Sequence, residues 1–195
     1  EQEELLEGIE MSARRMMHLV ENVLLHAELV SGRIESLPER LMPARLLADL
    51  AETFTAGREA RPVPLHVEVD ASVPDWLIAD KENLIRILNQ LVDNAVKHTH
   101  RGSITLRASL APLPPFGARA GMNRMLILSV VDTGIGIEKG ILSSLFSSFA
   151  LADDSYTRQY QGAGLGLLLC RMLAQLVNGR LEVESEAGAG STFRL

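Results

Sequence analysis

Residues 130–137 read VVDTGIGI, and this stretch decides how the chain is expected to fold. It closes an almost continuous apolar run that starts at Met125, a pattern typical of a strand buried on both faces. Asp132 stands where that strand should end, and Gly134 and Gly136 then permit close approach of the backbone to a ligand. A carboxylate in this position can accept a hydrogen bond from a ligand's amino group. Taken alone, the Asp-Thr-Gly sequence is explained equally well by a capped β-turn.

Two further glycine clusters follow. Residues 162–167, GAGLGL, open a helical pattern that runs from Gly164 to Val177 and is expected to stop at Gly179. The free N–H groups and positive end of such a helix suit a phosphate, although a hinge before a helix would use the same glycines. Residues 188–192, GAGST, indicate a hairpin turn. Neither cluster has the spacing of a Walker loop or of a Gly-x-Gly-x-x-Gly dinucleotide motif.

A helix is predicted from Asp80, its N-cap, to about His98. Its apolar side consists of Leu84, Ile87, Leu88, Leu91 and Ala95. Four polar residues share one face because they lie three or four positions apart: Gln90, Asn94, Lys97 and His98. An amide oxygen can bind a Mg²⁺ ion that is shared with substrate phosphates, and a lysine can neutralise phosphate charge. The same spacing also fits an ordinary solvated helix face.

The first segment carries the most regular apolar pattern of the chain. Its apolar residues are spaced 3-4-3-4-3-4-3, which is the a/d pattern of a coiled coil or helical bundle: Leu6, Ile9, Ala13, Met16, Val20, Val23, Ala27 and Val30. Gly32 supplies a left-handed stop. A seam this narrow requires partner helices from another chain or another segment. The alternative is a core helix of the main domain, which the glutamates and arginines around the seam disfavour.

The remaining pattern mixes helices and strands without strict alternation. A helix is predicted from Pro43 to near Gly57, and strands at 66–69, 103–108, 125–131, 180–184 and 192–195. Residues 111–124, rich in Pro, Ala and Gly, indicate a hairpin loop between two of these strands. The fold class is therefore α+β, with the helices layered on a sheet.

Composition excludes several function classes. The 195 residues are 47% hydrophobic and 23% charged, which allows one domain with an appendage or two small domains. With 19 Lys and Arg against 25 Asp and Glu, the net charge of −6 argues against a nucleic-acid-binding surface. The single cysteine, Cys170, excludes an internal disulfide and a cysteine-based zinc site. No apolar run approaches a membrane span, and the first residue is not Met, so we expect a cytoplasmic fragment of a parent that could be anchored in the inner membrane.

Taken in this order, the motifs resemble the nucleotide-binding boxes of sensor histidine kinases, within the ATPase group that includes gyrase B, Hsp90 and MutL. The resemblance runs from about Ser12 to Leu195. It consists of residues 91–99 (N box), 132–137 (first glycine box), 145–149 (F box of the ATP lid), 164–167 (second glycine box) and 188–193 (terminal box). Residues 154–160 resemble the lid of hybrid kinases in particular.

The resemblance implies a catalytic ATP-binding domain built as a two-layer α/β sandwich, with a mixed sheet of about five strands and ATP between the helices and a mobile lid. It implies that Asp132 binds the adenine amino group and that Asn94, with Gln90 beside it, holds Mg²⁺. Lys97 and Arg158 would face phosphates. The residues implied in ATP binding are Asn94, Lys97, His98, Asp132, Gly134, Gly136, Ile137, Phe146, Phe149, Arg158, Gly164, Leu165, Gly166, Leu167 and Thr192.

The front helix is similar to the second helix of a dimerisation and histidine-phosphotransfer domain, which forms a four-helix bundle from two chains. We therefore divide the chain into a partial bundle domain, residues 1–36, and the catalytic domain, residues 37–195, and expect a homodimer. No His begins a His-Glu/Asp-x-Arg phosphoacceptor motif, so the phosphorylated His is expected upstream and the fragment alone should not autophosphorylate. The resemblance implies relay to the Asp of a response-regulator receiver domain, which the hybrid-like lid suggests in the same chain.

Departures from the family pattern keep two alternatives open. Gln90 stands where Asn is usual, and the extra methylene displaces its amide by roughly an ångström, which a tight Mg²⁺ shell resists. Gln161 and Ala163 replace a common Gly and Thr. Against the protein-histidine kinase we weigh a degenerate module that dimerises through residues 5–31 and regulates another kinase. A gyrase- or MutL-like ATPase is a third interpretation, which leaves the front helix and the F box unexplained.

Overall fold

The structure, a computed structural model, describes residues 2–56, 63–113, 124–142, 145 and 165–195. Its elements follow in the order α1 (Gln2–Val30), β1 (Glu39–Leu41), α2 (Pro43–Thr55), β2 (Leu65–Val69), β3 (Leu77–Ala79), α3 (Lys81–His98), β4 (Ile104–Pro112), β5 (Arg124–Asp132), α4 (Lys139–Leu142), α5 (Gly166–Leu176), β6 (Glu182–Glu186) and β7 (Gly190–Arg194). None of the described helices combines the length and apolarity that crossing a bilayer requires.

The main sheet has five strands in the order β2-β4-β5-β7-β6. Strand β2 pairs parallel to β4, and the other three pairs are antiparallel. The prediction of a mixed sheet of about five strands is confirmed. A second sheet of two strands, β1 and β3, was not predicted, because three residues per strand are too few to show an alternating pattern.

Helices α2, α3 and α5 pack on the sheet and form the core. Alternate residues of β4 are buried, as period-two geometry requires, whereas Leu128, Ser129 and Val130 of β5 are buried in succession. The core includes Leu46, Leu47 and Leu50 of α2, Ile87, Leu88 and Leu91 of α3, Leu173 and Ala174 of α5, and Leu106, Val130 and Phe193 of the sheet. The predicted α+β class is confirmed, and it places the end of β5, α3 and the start of α5 next to one another.

Helix α3 begins at the predicted N-cap. The Asp80 side chain accepts hydrogen bonds from the Asn83 backbone N–H at 3.0 Å and from the Asn83 amide at 2.7 Å. The same carboxylate accepts from the Leu37 N–H at 3.1 Å. Asp80 therefore starts α3 and also fixes the segment that arrives from α1.

Helix α1 ends where the sequence indicates. Gly32 has a φ of +66°, and the Arg33 N–H reaches back to the Glu28 carbonyl at 3.0 Å. Leu25 and Leu29 pack against the core, and α1 contacts α5. The division between residues 36 and 37 stays a prediction.

Three boundaries differ from the expectations. Strands β4 and β5 extend to Pro112 and back to Arg124, so the hairpin loop is shorter than 111–124; residues 114–123 lie outside the described part of the chain. Helix α5 ends at Leu176, and the left-handed residue that follows its C-cap is Asn178, with a φ of +56°, one residue before the predicted stop at Gly179. Asparagine tolerates the left-handed conformation, which explains the difference.

Candidate functional site

Asp132 ends β5 in a buried position, with 6% of its surface exposed. One carboxylate oxygen accepts the Gly134 N–H at 2.8 Å, and Ser191 lies opposite Asp132 in the neighbouring strand β7. Burial raises the pKa of Asp132 above its ordinary value, and the polar groups of Gly134 and Ser191 oppose the rise. A carboxylate has about four acceptor sites, so the bond from Gly134 leaves acceptor capacity for a donor from a ligand.

The glycines after Asp132 are required by the protein's own backbone. A Cβ atom on Gly134 would overlap the carbonyl oxygen of His98, and one on Gly136, whose φ is +66°, would overlap that of Glu186. The Ile135 N–H donates to the His98 carbonyl at 3.2 Å. Residues 134–136 are therefore packed between the end of α3 and the β6–β7 turn. These contacts fix the backbone segment beside Asp132. Glycine at these two positions makes room for neighbouring main chain, and the predicted approach of a ligand to them stays a prediction.

The polar face of α3 extends from Gln90, next to the start of α5, to His98, next to residues 134–136. Gln90, Asn94 and His98 are half-buried, and Lys97 is exposed. Burial, followed by the charges of Lys97 and His100, lowers the pKa of His98, so its imidazole is neutral at pH 7. Four predicted site residues are thus on one helix face, with Asn94 one turn from each end of the face.

Gln90 has a specific neighbour. A Cβ atom on Gly166 would lie 2.7 Å from Gln90 Cδ and 2.7 Å from its Nε2, so the amide packs directly on the first residue of α5. A side chain at position 166 would displace the Gln90 amide from this position. The structure thus assigns Gln90 a packing contact, and its predicted role as a metal ligand is untested.

The start of α5 offers donors to an anion. Leu165 is its N-cap residue and provides no side-chain hydrogen bond to the first-turn N–H groups. Those groups and the positive helix end favour a phosphate. Leu167, predicted to contact the nucleotide, is 4% exposed and lies in the core.

The terminal box places a different residue at the site than the one predicted. Ser191 is opposite Asp132 in the sheet, whereas Thr192 is opposite Val131 and therefore faces the other side of β7. The geometry gives the position beside Asp132 to Ser191 instead of Thr192. Strand alternation could have predicted this. Phe193 is a core residue, and Ser191, two residues earlier in β7, lies on the same face of the sheet as Phe193.

Other residues at the site were missed or fall outside the description. Ser185 hydrogen-bonds to Ser191 and was not singled out. Thr99 is 2% exposed, and its hydroxyl is without a partner among the described residues, which the sequence does not reveal. Predicted residues outside the described ranges are Phe146, Phe149, Arg158 and Gly164.

The side chains at the site determine which metal ion they could bind. Within the described ranges, no group of three His, Cys, Asp or Glu side chains could hold a metal ion. A site built on Asn94 would therefore supply a neutral amide oxygen. That fits Mg²⁺, which keeps several waters and shares substrate phosphates, and it does not fit a transition metal.

Comparison with known proteins agrees with this arrangement. Residues 79–195 match the family model of the histidine kinase-, DNA gyrase B- and HSP90-like ATPases. The chain is 30% identical over 194 residues to the peroxide stress-activated histidine kinase mak2 of Schizosaccharomyces pombe, covering 99% of this chain and 8% of that protein. It is 31% identical over 189 residues to the hybrid signal transduction histidine kinase L of Dictyostelium discoideum, covering 96% and 11%.

A solved structure shows the same fold. The crystal structure of full-length ShkA in complex with AMPPNP superposes with a TM-score of 0.75 at 28% identity, over 92% of this chain and 35% of that one. The chain thus spans about a tenth of the curated relatives named above and about a third of ShkA. The family model covers more than half of the chain and includes α3, the end of β5 and the start of α5. The chain belongs to the family of histidine kinase-, DNA gyrase B- and HSP90-like ATPases, and its ATPase domain is of the histidine kinase type.

Proposed function

We propose that this chain binds ATP in the pocket between α3, the end of β5 and the start of α5, and that it is the catalytic domain of a two-component sensor histidine kinase. The observation that carries the proposal is Asp132, whose buried carboxylate accepts the Gly134 N–H and retains acceptor capacity for a donor of a ligand. The adenine amino group is a donor of the required kind.

The phosphates would lie at the other end of the pocket. The first-turn N–H groups of α5 and the ammonium of Lys97 supply positive potential there. Asn94 would hold Mg²⁺, which neutralises phosphate charge when bound. His98 is neutral beside this face, so it adds no charge and can pack against the nucleotide. Arg158 near the phosphates, and Phe146 and Phe149 in the lid, complete the proposal.

The reaction would be phosphoryl transfer to a histidine outside these 195 residues. The bond from the γ-phosphorus to the β–γ bridging oxygen breaks, a bond from the γ-phosphorus to the unprotonated imidazole nitrogen forms, the other ring nitrogen releases its proton, and ADP leaves. Such a reaction requires positioning and charge neutralisation, and no covalent intermediate with the chain. A buried acceptor for the base and the first-turn N–H groups of α5 for the phosphates are suited to positioning.

Helix α1 would form the contact between two copies of the chain. Its seam residues are open: Ile9, Met16, Val20, Val23 and Val30 are 54–67% exposed. Leu25 and Leu29, which pack on the core, lie two positions from Val23 and Ala27, on the far side of the helix. The seam is thus free while α1 remains attached. We propose a homodimer through it, relay to a receiver domain and a cytoplasmic location.

Calorimetric titration of the 195-residue chain with ADP and with a non-hydrolysable ATP analogue, with and without Mg²⁺, tests the proposal. Asp132→Asn replaces one acceptor oxygen by a donor and should reduce affinity at least about tenfold, since a buried unmatched donor costs roughly 1–3 kcal/mol. Asp49→Asn, on the exposed face of α2, is the matched control and should bind normally. A folded chain that binds neither nucleotide up to millimolar concentration would overturn the proposal in favour of a regulatory module that dimerises without catalysis.

A further inference from the structure

Helices α3 and α5 run in opposite directions where they contact each other. Cys170 of α5 directs its Sγ to the carbonyl oxygen of Ile87 at 3.9 Å, and the first residue of α5, Gly166, lies against Gln90. The contact thus moves forward by three residues on α3 while it moves back by four on α5, which is about one turn of each helix. The following turn of α3 carries Asn94. It lies beyond the first residue of α5, on the side to which the first-turn N–H groups point.

The Gln90 amide turns its flat face to Gly166. A Cβ atom on Gly166 would lie 2.7 Å from Gln90 Cδ, 2.7 Å from Nε2 and 3.1 Å from Oε1. Because these three distances are similar, the amide meets the glycine with its face, and neither its donor nor its acceptor is aimed at it. The contact between the two residues is therefore one of packing.

The first residue of α5 depends on this contact for its distance from α3. Gly166 is buried and has no side chain with which to anchor itself. Leu167 and Cys170, which are 4% and 1% exposed, hold the rest of α5 in the core. The Gln90 side chain is the surface against which the start of α5 packs, so its length sets the gap between that first turn and α3.

We infer that Gln90 is a positioning residue for phosphate binding: its side chain sets the distance between α3 and the first turn of α5, so that Asn94 and the N–H groups of that turn act on the same phosphates. The inference rests on the proposed function. In this role the Gln90 amide fills space and neither binds the metal ion nor touches the phosphates. A shorter side chain at position 90 lets the first turn of α5 move toward α3, and its N–H groups then lose their alignment with the phosphates.

The test separates binding of the phosphates from binding of the base. The 195-residue chain is titrated with ADP and with adenosine, each in excess Mg²⁺ and again in EDTA, and wild type should favour ADP. Gln90→Ala should weaken ADP binding about fivefold, the value of roughly one hydrogen bond, and leave adenosine binding unchanged. The loss should persist in EDTA, because the variant displaces the helix turn. A residue that acted as a metal ligand would matter only in the presence of Mg²⁺.

Gln90→Met distinguishes packing from ligation. Methionine has nearly the length and volume of glutamine, and its thioether is a poor ligand for Mg²⁺, so this variant should restore ADP binding to within about twofold of wild type. Asn89→Ala truncates a half-buried amide at the neighbouring position of α3 and is the matched control, which should alter neither affinity. Gly166→Ala should weaken ADP binding by displacing the Gln90 amide, and it should cost less in the Gln90→Ala background, where the methyl group finds space.

Each outcome has a separate meaning. A loss of ADP affinity that disappears in EDTA, or a Gln90→Met variant as weak as Gln90→Ala, would overturn the positioning role in favour of a ligand. Equal weakening of ADP and adenosine, or no weakening of either, would overturn it as well. A wild-type chain that binds ADP no more tightly than adenosine would instead overturn the proposed function, and the role of Gln90 with it. If Gln90→Ala does not fold, Gly166→Ala displaces the same amide and gives the same comparison of ADP with adenosine.

Discussion

Helices α1 and α3 carry similar apolar stripes in opposite surroundings. On α3 the stripe is enclosed by the sheet and α5: Ile87, Leu88 and Leu91 are 0% exposed. On α1 the seam is open, and Val20 and Val23 are 54% and 57% exposed. An apolar stripe therefore predicts a helix and a contact surface, and the partner has to come from elsewhere. For α3 the partner is this domain, and for α1 we propose a second chain.

The largest expected effect is the loss of core volume in α3. Leu88→Ala should lower the free energy of unfolding by about 3 kcal/mol, because a fully buried leucine leaves a cavity. Leu24→Ala makes the same change on α1 at a side chain that is 58% exposed and should cost less than about 0.5 kcal/mol. Denaturant unfolding at low protein concentration measures both. Equal costs would show that α1 is as enclosed as α3.

The next effect concerns how α3 begins. Asp80→Ala should destabilise the chain by about 2 kcal/mol, because it removes the N-cap and leaves the Asn83 amide and the Leu37 N–H without their acceptor. Asp49→Ala, which breaks only an exposed ion pair with Arg45, is the matched control and should cost less than about 1 kcal/mol. If both variants unfold at the same denaturant concentration, the junction at Asp80 contributes nothing beyond a surface charge.

A third prediction addresses the open seam. Val20→Glu should weaken self-association at least about tenfold, since a charge would be buried between helices. Its effect on the unfolding of the isolated chain should be small, because Val20 is exposed there. Asn22→Glu adds the same charge off the seam and should leave association intact. Analytical ultracentrifugation across a concentration series would count against a dimer through α1 if wild type sediments as a monomer throughout.

Much of the fold could be predicted because its signals are local. Period-two and period-3.6 patterns, the Asp80 cap and Gly32 each depend on residues close in sequence. The small β1–β3 sheet could not be predicted, since its pairing joins residues about 40 positions apart, as in Glu39 with Ala79. Its short strands carry too few residues for a pattern.

The site was predictable as a set of motifs and less so as a set of contacts. Asp132 and the α3 face follow from spacing, but the neighbour of Gln90 is set by how α5 crosses α3, which no local pattern encodes. Ser191 could have been chosen over Thr192 from strand alternation with Phe193. Ser185 became visible only when β6 and β7 were placed in register.

The smallest expected effect is a pH dependence at the end of α3. The pKa of His98 is lowered, first by burial and then by Lys97 and His100, so the unfolded chain takes up a proton before the folded one as the pH falls. The contribution of His98 to stability is therefore complete above its ordinary pKa of 6.5 and is lost progressively as the pH falls from there toward the lowered value.

His98→Gln should remove that loss, so the stability of wild type relative to the variant should fall between pH 7.5 and pH 5. Asp132 changes stability in the opposite direction: because its pKa is raised, acidification toward its ordinary value of 3.8 stabilises the folded chain. Both proteins retain Asp132, so its contribution cancels in the difference. Thermal unfolding of the two proteins across this range measures it. If the stabilities of the two proteins change with pH in parallel, the imidazole of His98 is as exposed to solvent as the apolar residues of α1. The polar face of α3 would then not be part of an enclosed pocket.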